Sequence, residues 1–157
     1  MFDDRQFNEN PRRQIGSFAG PSASFWIASL ASLALIVGGV AQWATAFGVM
    51  SVSGTDMHGW NEVFAGIVGL AMLGLHRVFA ARLPLIVAAV AGALGAIQAA
   101  GTLAQIGSNG TMTVFGVQYR YLDPAWGLYL VLAGGIALAC SAALAWLASR
   151  ATAPDGP

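Results

Sequence analysis

Four long apolar runs, separated by segments that hold most of the polar residues, dominate the chain. They cover residues 24–47, 60–79, 84–106 and 125–149. A helix needs about 20 mostly apolar residues to cross the hydrocarbon core of a bilayer. The second run is the weakest, because Glu62 lies near its start and His76 and Arg77 lie near its end. The pattern predicts an all-α membrane protein with four transmembrane helices in an antiparallel bundle.

The composition supports a membrane protein. Of the 157 residues, 57% are hydrophobic and 9% are charged, whereas about 25% are charged in an ordinary soluble domain. The formal net charge is zero, so no basic field indicates a nucleic-acid partner. The single cysteine, Cys140, lies inside an apolar run, which predicts a small buried side chain.

The arginines predict the orientation of the chain. Six of the seven fall on one side of the predicted threading, and Arg120 alone falls on the other. Because loops rich in Lys and Arg stay in the cytoplasm, both termini are predicted to be cytoplasmic. Residues 1–23 would form a flexible N-terminal tail and residues 150–157 a short C-terminal tail. The absence of lysine and the abundance of Ala and Gly suggest a GC-rich bacterial genome, so the membrane is predicted to be a bacterial plasma membrane.

The tryptophans agree with this threading. Tryptophan prefers the membrane–water interface. Trp26 and Trp146 fall at the predicted cytoplasmic edge, and Trp43, Trp60 and Trp126 fall at the predicted outer edge.

Small residues at four-residue spacing predict close packing of the third and fourth helices. Gly92 and Ala96 belong to the row on the third, and Gly135 and Ala139 lie in the corresponding part of the fourth. The sequence leaves open whether these rows bind each other or a partner protein. A homo-oligomer is also possible.

Few polar side chains lie inside the predicted spans, and none at mid-membrane is charged. Gln98 is the deepest large one, and hydrogen bonding between helices is its expected role. A second interpretation places Gln98 on a polar path with Gln42, Thr102 and Gln105.

The two outer loops, residues 48–59 and 107–123, mix turn residues with β-branched and aromatic residues. The alternation in the second loop slips at Gly116, as a bulge or tight turn requires. The loops therefore predict a small extracytoplasmic β-hairpin or sheet.

The first loop brings Asp56 and His58 close to Glu62. A zinc site needs three or four ligands at defined spacing, and a second histidine is missing here. A nucleophile–base pair of Ser53 and His58 is available in sequence, but nothing in the pattern fixes it. Turn and helix-cap roles explain the acids better, with Asp56 or Asn61 as the cap and Glu62 in the first helical turn. We therefore predict no metal, no cofactor and no enzymatic activity.

Polar and aromatic residues of the two loops are the candidates for docking a partner protein. They are Asp56, His58, Trp60, Glu62, Tyr119, Arg120, Tyr121 and Asp123. Either Glu62 or Asp123 could pair with Arg120.

Two segments resemble small, largely uncharacterised four-span membrane proteins of actinobacteria. One runs from Trp43 to Asp56 and contains "GVMSVSGTD"; the other is "AWGLYLVLAGGIAL", residues 125–138. The resemblance implies a topology and a bacterial group, and it implies no activity.

The expected partners are the lipid bilayer and other membrane protein subunits. The leading hypothesis is a non-catalytic accessory or scaffolding subunit of a larger envelope complex, of the lipid-transport or respiratory type. The alternative is a small self-assembling channel or transporter.

Overall fold

The computed structural model describes residues 23–151, and four long helices form most of them. They are α1 (Ala23–Val40), α2 (Trp60–Phe79), α3 (Leu83–Asn109) and α4 (Trp126–Ala151). Each is long and apolar enough to cross a membrane, so the prediction of four such helices is confirmed. Most of the predicted N-terminal tail and residues 152–157 lie outside the described residues, whereas Ala23, Arg150 and Ala151 belong to helices.

The helices form a closed ring in which each packs against two neighbours. α1 and α3 both contact α2 and α4, and the approach of Gly92 to Ala139 and of Ala96 to Gly135 shows that α3 and α4 run antiparallel. The core is filled by aliphatic side chains, among them Leu35, Leu85, Leu128 and Leu138. Large apolar side chains on the opposite faces are exposed, as expected for helices that meet lipid.

The predicted small-residue rows pack against each other within the chain. A Cβ atom added to Gly92 would lie 2.7 Å from the backbone nitrogen of Ala139 and 2.8 Å from the carbonyl oxygen of Gly135. One added to Gly135 would lie 2.7 Å from the backbone nitrogen of Ala96. The absence of side chains at these glycines lets the backbones of α3 and α4 touch.

The first helix is shorter than the predicted span. It ends at Val40, and the chain then enters a strand that carries Trp43 into the core. The Trp43 side chain is fully buried, and its indole Nε1 donates a hydrogen bond to the carbonyl oxygen of Gly38 over 2.7 Å. The position of Trp43 at the outer membrane edge stays a prediction, while the structure shows its ring inside the protein rather than on its surface, with its polar atom satisfied.

Five short strands cap the end of the bundle where α1 and α3 end, which we call the strand end. They are β1 (Gln42–Ala46), β2 (Met50–Ser53), β3 (Thr111–Val114), β4 (Val117–Arg120) and β5 (Leu122–Pro124). A three-stranded antiparallel sheet has the order β2-β1-β5, so it joins both loops. β3 and β4 form a separate hairpin. The predicted small sheet is confirmed.

The turn predicted near Gly116 is also present. Phe115 and Gly116 connect β3 to β4 with φ angles of 52° and 79°. Two successive positive φ angles are typical of the tight hairpin turn that follows the twist of its strands.

The cysteine prediction is wrong. Cys140 lies midway along α4 and is exposed on the outside of the bundle, because the helix turns its other face to α1 and α3.

Candidate functional site

The loop from Gly54 to Gly59 is held tightly against the end of α1. The backbone nitrogen of Gly54 donates to the carbonyl oxygen of Ala41 over 2.7 Å, and that of Gly59 donates to Gly54 over 2.6 Å. A Cβ atom on either glycine would overlap the carbonyl oxygen of Gly39. Because only glycine fits at both ends, the loop is a fixed connection into α2.

The acid and the histidine of this loop act separately. The Ser53 hydroxyl donates to Asp56 Oδ2 over 2.7 Å, and Ser53 Oγ also lies 2.7 Å from Thr55 Oγ1. Ser53 is thus engaged with Asp56 and Thr55, not with His58 as a nucleophile–base pair requires. His58 is exposed and has a φ angle of 71°. Within residues 23–151, no group of three or more His, Cys, Asp or Glu is arranged to hold a metal ion.

The N-cap position of α2 belongs to Gly59, without a side-chain hydrogen bond. The predicted cap by Asp56 or Asn61 is therefore wrong. Asp56 instead accepts from Ser53, and Asn61 points towards α3. The N-terminal turn is closed by backbone bonds from Glu62 and Val63 to the carbonyl oxygen of Gly59.

Glu62 lies in the first turn of α2, as predicted, but its side chain turns into the bundle. The residue is 1% exposed, and neither carboxyl oxygen has a hydrogen-bond partner among the described residues. A Cβ atom on Gly95 would lie 2.6 Å from Glu62 Oε2 and 3.2 Å from Leu35 Cδ2. The carboxyl group therefore fills the space that a side chain on Gly95 would take, and Glu62 is unavailable to a docking partner.

Two amides next to Glu62 link α2 to α3. Asn61 Nδ2 donates to Gln98 Oε1 over 3.5 Å, and Gln98 Nε2 donates to the carbonyl oxygen of His58 over 3.4 Å. Gln98 thus hydrogen bonds between helices, the role expected from the sequence.

Two open cavities meet at this amide pair. The first, the polar groove, has a volume of about 650 Å³. It is lined by Asp56, Met57, His58, Asn61, Gln98, Gly101, Thr102 and Gln105. Three residues of the predicted polar path therefore lie together, whereas Gln42 lies outside it and bonds weakly to the carbonyl oxygen of Ala44.

The second cavity, the lateral cavity, has a volume of about 520 Å³ and lies between α2 and α3. It is lined by Asn61, Glu62, Phe64, Ala65, Val68, Ala91, Leu94, Gly95, Ile97 and Gln98. Its wall is mostly apolar, and Glu62 is the only acidic residue in that lining.

The remaining docking candidates lie at the strand end. Asp56, His58, Trp60, Tyr119, Arg120 and Asp123 are exposed, and Tyr121 is half-buried. Arg120 Nε lies 3.3 Å from Asp123 Oδ1 with both side chains 55% exposed. Arg120 therefore pairs with Asp123 rather than with Glu62. The Tyr121 hydroxyl donates to the carbonyl oxygen of Asn109 over 2.8 Å, which ties the residue between β4 and β5 to the end of α3.

Within the candidate site, the burial of Glu62 is a feature that sequence reasoning missed. Glu62, Gly66, Gly69 and Leu73 recur at the spacing of one helical face, and all four are buried. A carboxylate in line with two glycines that meet neighbouring helices was the signal that could have revealed it.

Comparison with protein-family models, curated proteins and solved structures finds no match to this chain. The interpretation of the site therefore rests on its own geometry.

Proposed function

We propose that this chain is a non-catalytic accessory subunit of a larger complex in a bacterial plasma membrane, of the lipid-transport or respiratory type. The orientation proposed from the arginines places both termini in the cytoplasm and the strand end outside. In support, Arg77, Arg82 and Arg150 lie at the opposite end of the helices from Arg120. The proposed origin is the actinobacterial group that the sequence resembles.

The observation that carries this proposal is the exposed β3–β4 hairpin. All residues from Thr111 to Arg120 are exposed, and Phe115 at its tip is 102% exposed. Val117 and Tyr119 are more than half exposed. An isolated two-stranded hairpin is marginally stable in water, and exposed apolar strand edges attract other chains. A partner subunit that covers the hairpin would stabilise it, and the tyrosine and arginine side chains are types enriched at interfaces.

Purification in mild detergent from native membranes, followed by mass spectrometry, tests the proposal. We expect a reproducible partner that is lost in a Phe115→Ser, Val117→Ser double variant. The matched control is Val49→Ser, because Val49 is 83% exposed in the other loop. A wild-type chain that purifies alone would count against the accessory role. Loss of the partner in the Val49→Ser control would count against the hairpin as the docking surface.

A channel or transporter is the second candidate, and the polar groove favours it. Gln98, Thr102 and Gln105 line the groove together, and Glu62 lines the neighbouring lateral cavity, which shares Asn61 and Gln98 with the groove. Ionisable groups inside a membrane often mark transport pathways. Flux of small polar solutes into liposomes, compared between wild type and Gln98→Leu, tests this role. Equal flux with and without the protein would exclude it for those solutes.

A further inference from the structure

The carboxyl group of Glu62 is buried and has no hydrogen-bond partner within residues 23–151. Buried polar side chains nearly always have a hydrogen-bond partner, and burying a carboxylate without one is costly. Both oxygens of Glu62 are shielded from solvent and accept from no donor in the described chain. The group therefore has a strong capacity to accept a hydrogen bond from a donor that the bundle does not supply.

The arginines that the structure describes are all placed elsewhere. Arg77 stacks 5.2 Å from the ring centre of Phe25, and Arg150 stacks 3.8 Å from that of Trp146. Arg82 donates to the carbonyl oxygen of Ser149 over 3.0 Å. These three lie at the far end of the bundle, and Arg120 pairs with Asp123. Among residues 23–151, no arginine is therefore left to pair with Glu62, so a second molecule is the candidate source of a cationic partner.

The position of the lateral cavity indicates where that molecule comes from. Phe64, Leu94 and Ile97 line it and are 62–68% exposed on the outside of the helices. They would face hydrocarbon in a bilayer, so the mouth of the cavity opens to lipid. The seam between α2 and α3 also has the sparsest contact of the four between neighbouring helices.

The chemistry of the wall specifies the ligand. Its apolar residues suit a hydrocarbon chain, while the Glu62 carboxyl group suits a positively charged hydrogen-bond donor. The Asn61–Gln98 amide pair lies at the side that meets the polar groove. It supplies polar contacts next to the charged end of such a ligand. A volume of about 520 Å³ is within the range of about 300–1,000 Å³ usual for small-molecule sites.

We propose that the lateral cavity binds one amphiphile with a protonated primary amine, whose ammonium group donates to Glu62. The hydrocarbon chain packs against Phe64, Leu94 and Ile97. Because the oxygens are shielded in the closed bundle, the ligand enters as the α2–α3 seam widens. The absence of a side chain at Gly95 leaves room for the carboxyl group beside the ligand. This site is independent of the accessory role, which depends on the hairpin.

Photo-crosslinking of the full chain tests the site. The protein is reconstituted in nanodiscs of zwitterionic lipid and exposed to a long-chain primary amine that carries a diazirine on its alkyl chain. The matched probe is the corresponding fatty alcohol. We expect the amine to label residues of α2 and α3 around Phe64 and Ile97, and an excess of unlabelled amine, but not alcohol, to compete.

Glu62→Gln is the test variant, because it keeps the size of the side chain and removes the charge. We expect the apparent affinity for the amine to fall roughly 10- to 100-fold, the range for loss of one hydrogen bond to a charged group. Asp123→Asn is the control, because it removes an exposed carboxylate outside the cavity; labelling should be unchanged. If Glu62→Gln does not fold, competition between amine and alcohol on the wild-type protein decides the question.

Three results would overturn the proposal. One is equal labelling of wild type and Glu62→Gln. Another is equal competition by alcohol and amine, which would show that the cavity takes hydrocarbon regardless of the head group. The third is labelling by the amine only at residues outside α2 and α3, which would show that the amine does not bind in the lateral cavity.

Discussion

The close approach of α3 and α4 at Gly92 predicts that a larger side chain at this position destabilises the bundle. Replacing Gly92 with Ala places a Cβ atom 2.7 Å from the backbone nitrogen of Ala139, 2.8 Å from the carbonyl oxygen of Gly135 and 3.0 Å from Leu138 Cβ. Ordinary contact begins at 3.4 Å, so the nearest atom is too close by 0.7 Å, the difference between 3.4 and 2.7 Å. Two of the three atoms are backbone, and neither can rotate away.

The helices must therefore separate, and contacts along their interface weaken. Overpacking of this kind costs about 1–3 kcal/mol, while replacing a helical glycine with alanine contributes up to about 1 kcal/mol of helix stability. Gly101→Ala is the matched control, because Gly101 lies on the same helix and an added Cβ would meet nothing within 4 Å. In this control, the gain in helix propensity is the only expected effect on stability. We expect Gly92→Ala to be less stable than Gly101→Ala by about 1–3 kcal/mol.

Reversible unfolding in mixed micelles, followed by far-UV circular dichroism across a titration of denaturing detergent, measures this difference. Equal midpoints for the two variants would refute the reasoning, because they would show that the backbones of α3 and α4 are not in contact. A larger loss of stability in Gly101→Ala than in Gly92→Ala would also refute the reasoning.

Three further predictions concern the tryptophan, the ion pair and the cysteine. Trp43→Phe leaves the carbonyl oxygen of Gly38 without its bond to the indole, so the free energy of unfolding should fall by about 1–3 kcal/mol; an unchanged midpoint in the same titration would be inconsistent with a buried indole. Arg120→Ala removes an exposed pair with Asp123 and should change stability by no more than about 1 kcal/mol, which a larger shift would contradict. Cys140 is exposed midway along α4. In intact membranes it should therefore react with an uncharged maleimide and resist a charged one. Equal reaction with both reagents would argue against a lipid-facing position.

Local pattern was enough to predict the helices. An apolar run long enough to cross a membrane has few alternatives to a helix, because a helix satisfies every backbone polar group within its own segment. The small sheet was predictable for a similar reason, since the alternation of apolar and polar residues and the slip at Gly116 are local signals. The close packing of Gly92 against Gly135 was expected from spacing alone, although the choice between an internal and an external partner was not.

The points that sequence reasoning missed depend on contacts between distant segments. Trp43 is buried because β1 pairs with β2 and β5 above the core, which ends α1 early. Glu62 is buried because Gly95, on a different helix, leaves space for its carboxyl group. The sequence of α2 shows which residues share a helical face with Glu62. It does not show the space that the neighbouring helix leaves for the carboxyl group.

The amino-acid sequence by itself determined the number of apolar helices, the position of their loops and the residues that bring backbones together, because each depends on composition and local periodicity. The tertiary structure decided that Glu62 lies without a partner in the wall of a cavity and that the Asn61–Gln98 pair separates this cavity from the polar groove. Those facts depend on which side chains α1 and α3 present to α2, and that arrangement exists only once the four helices have packed.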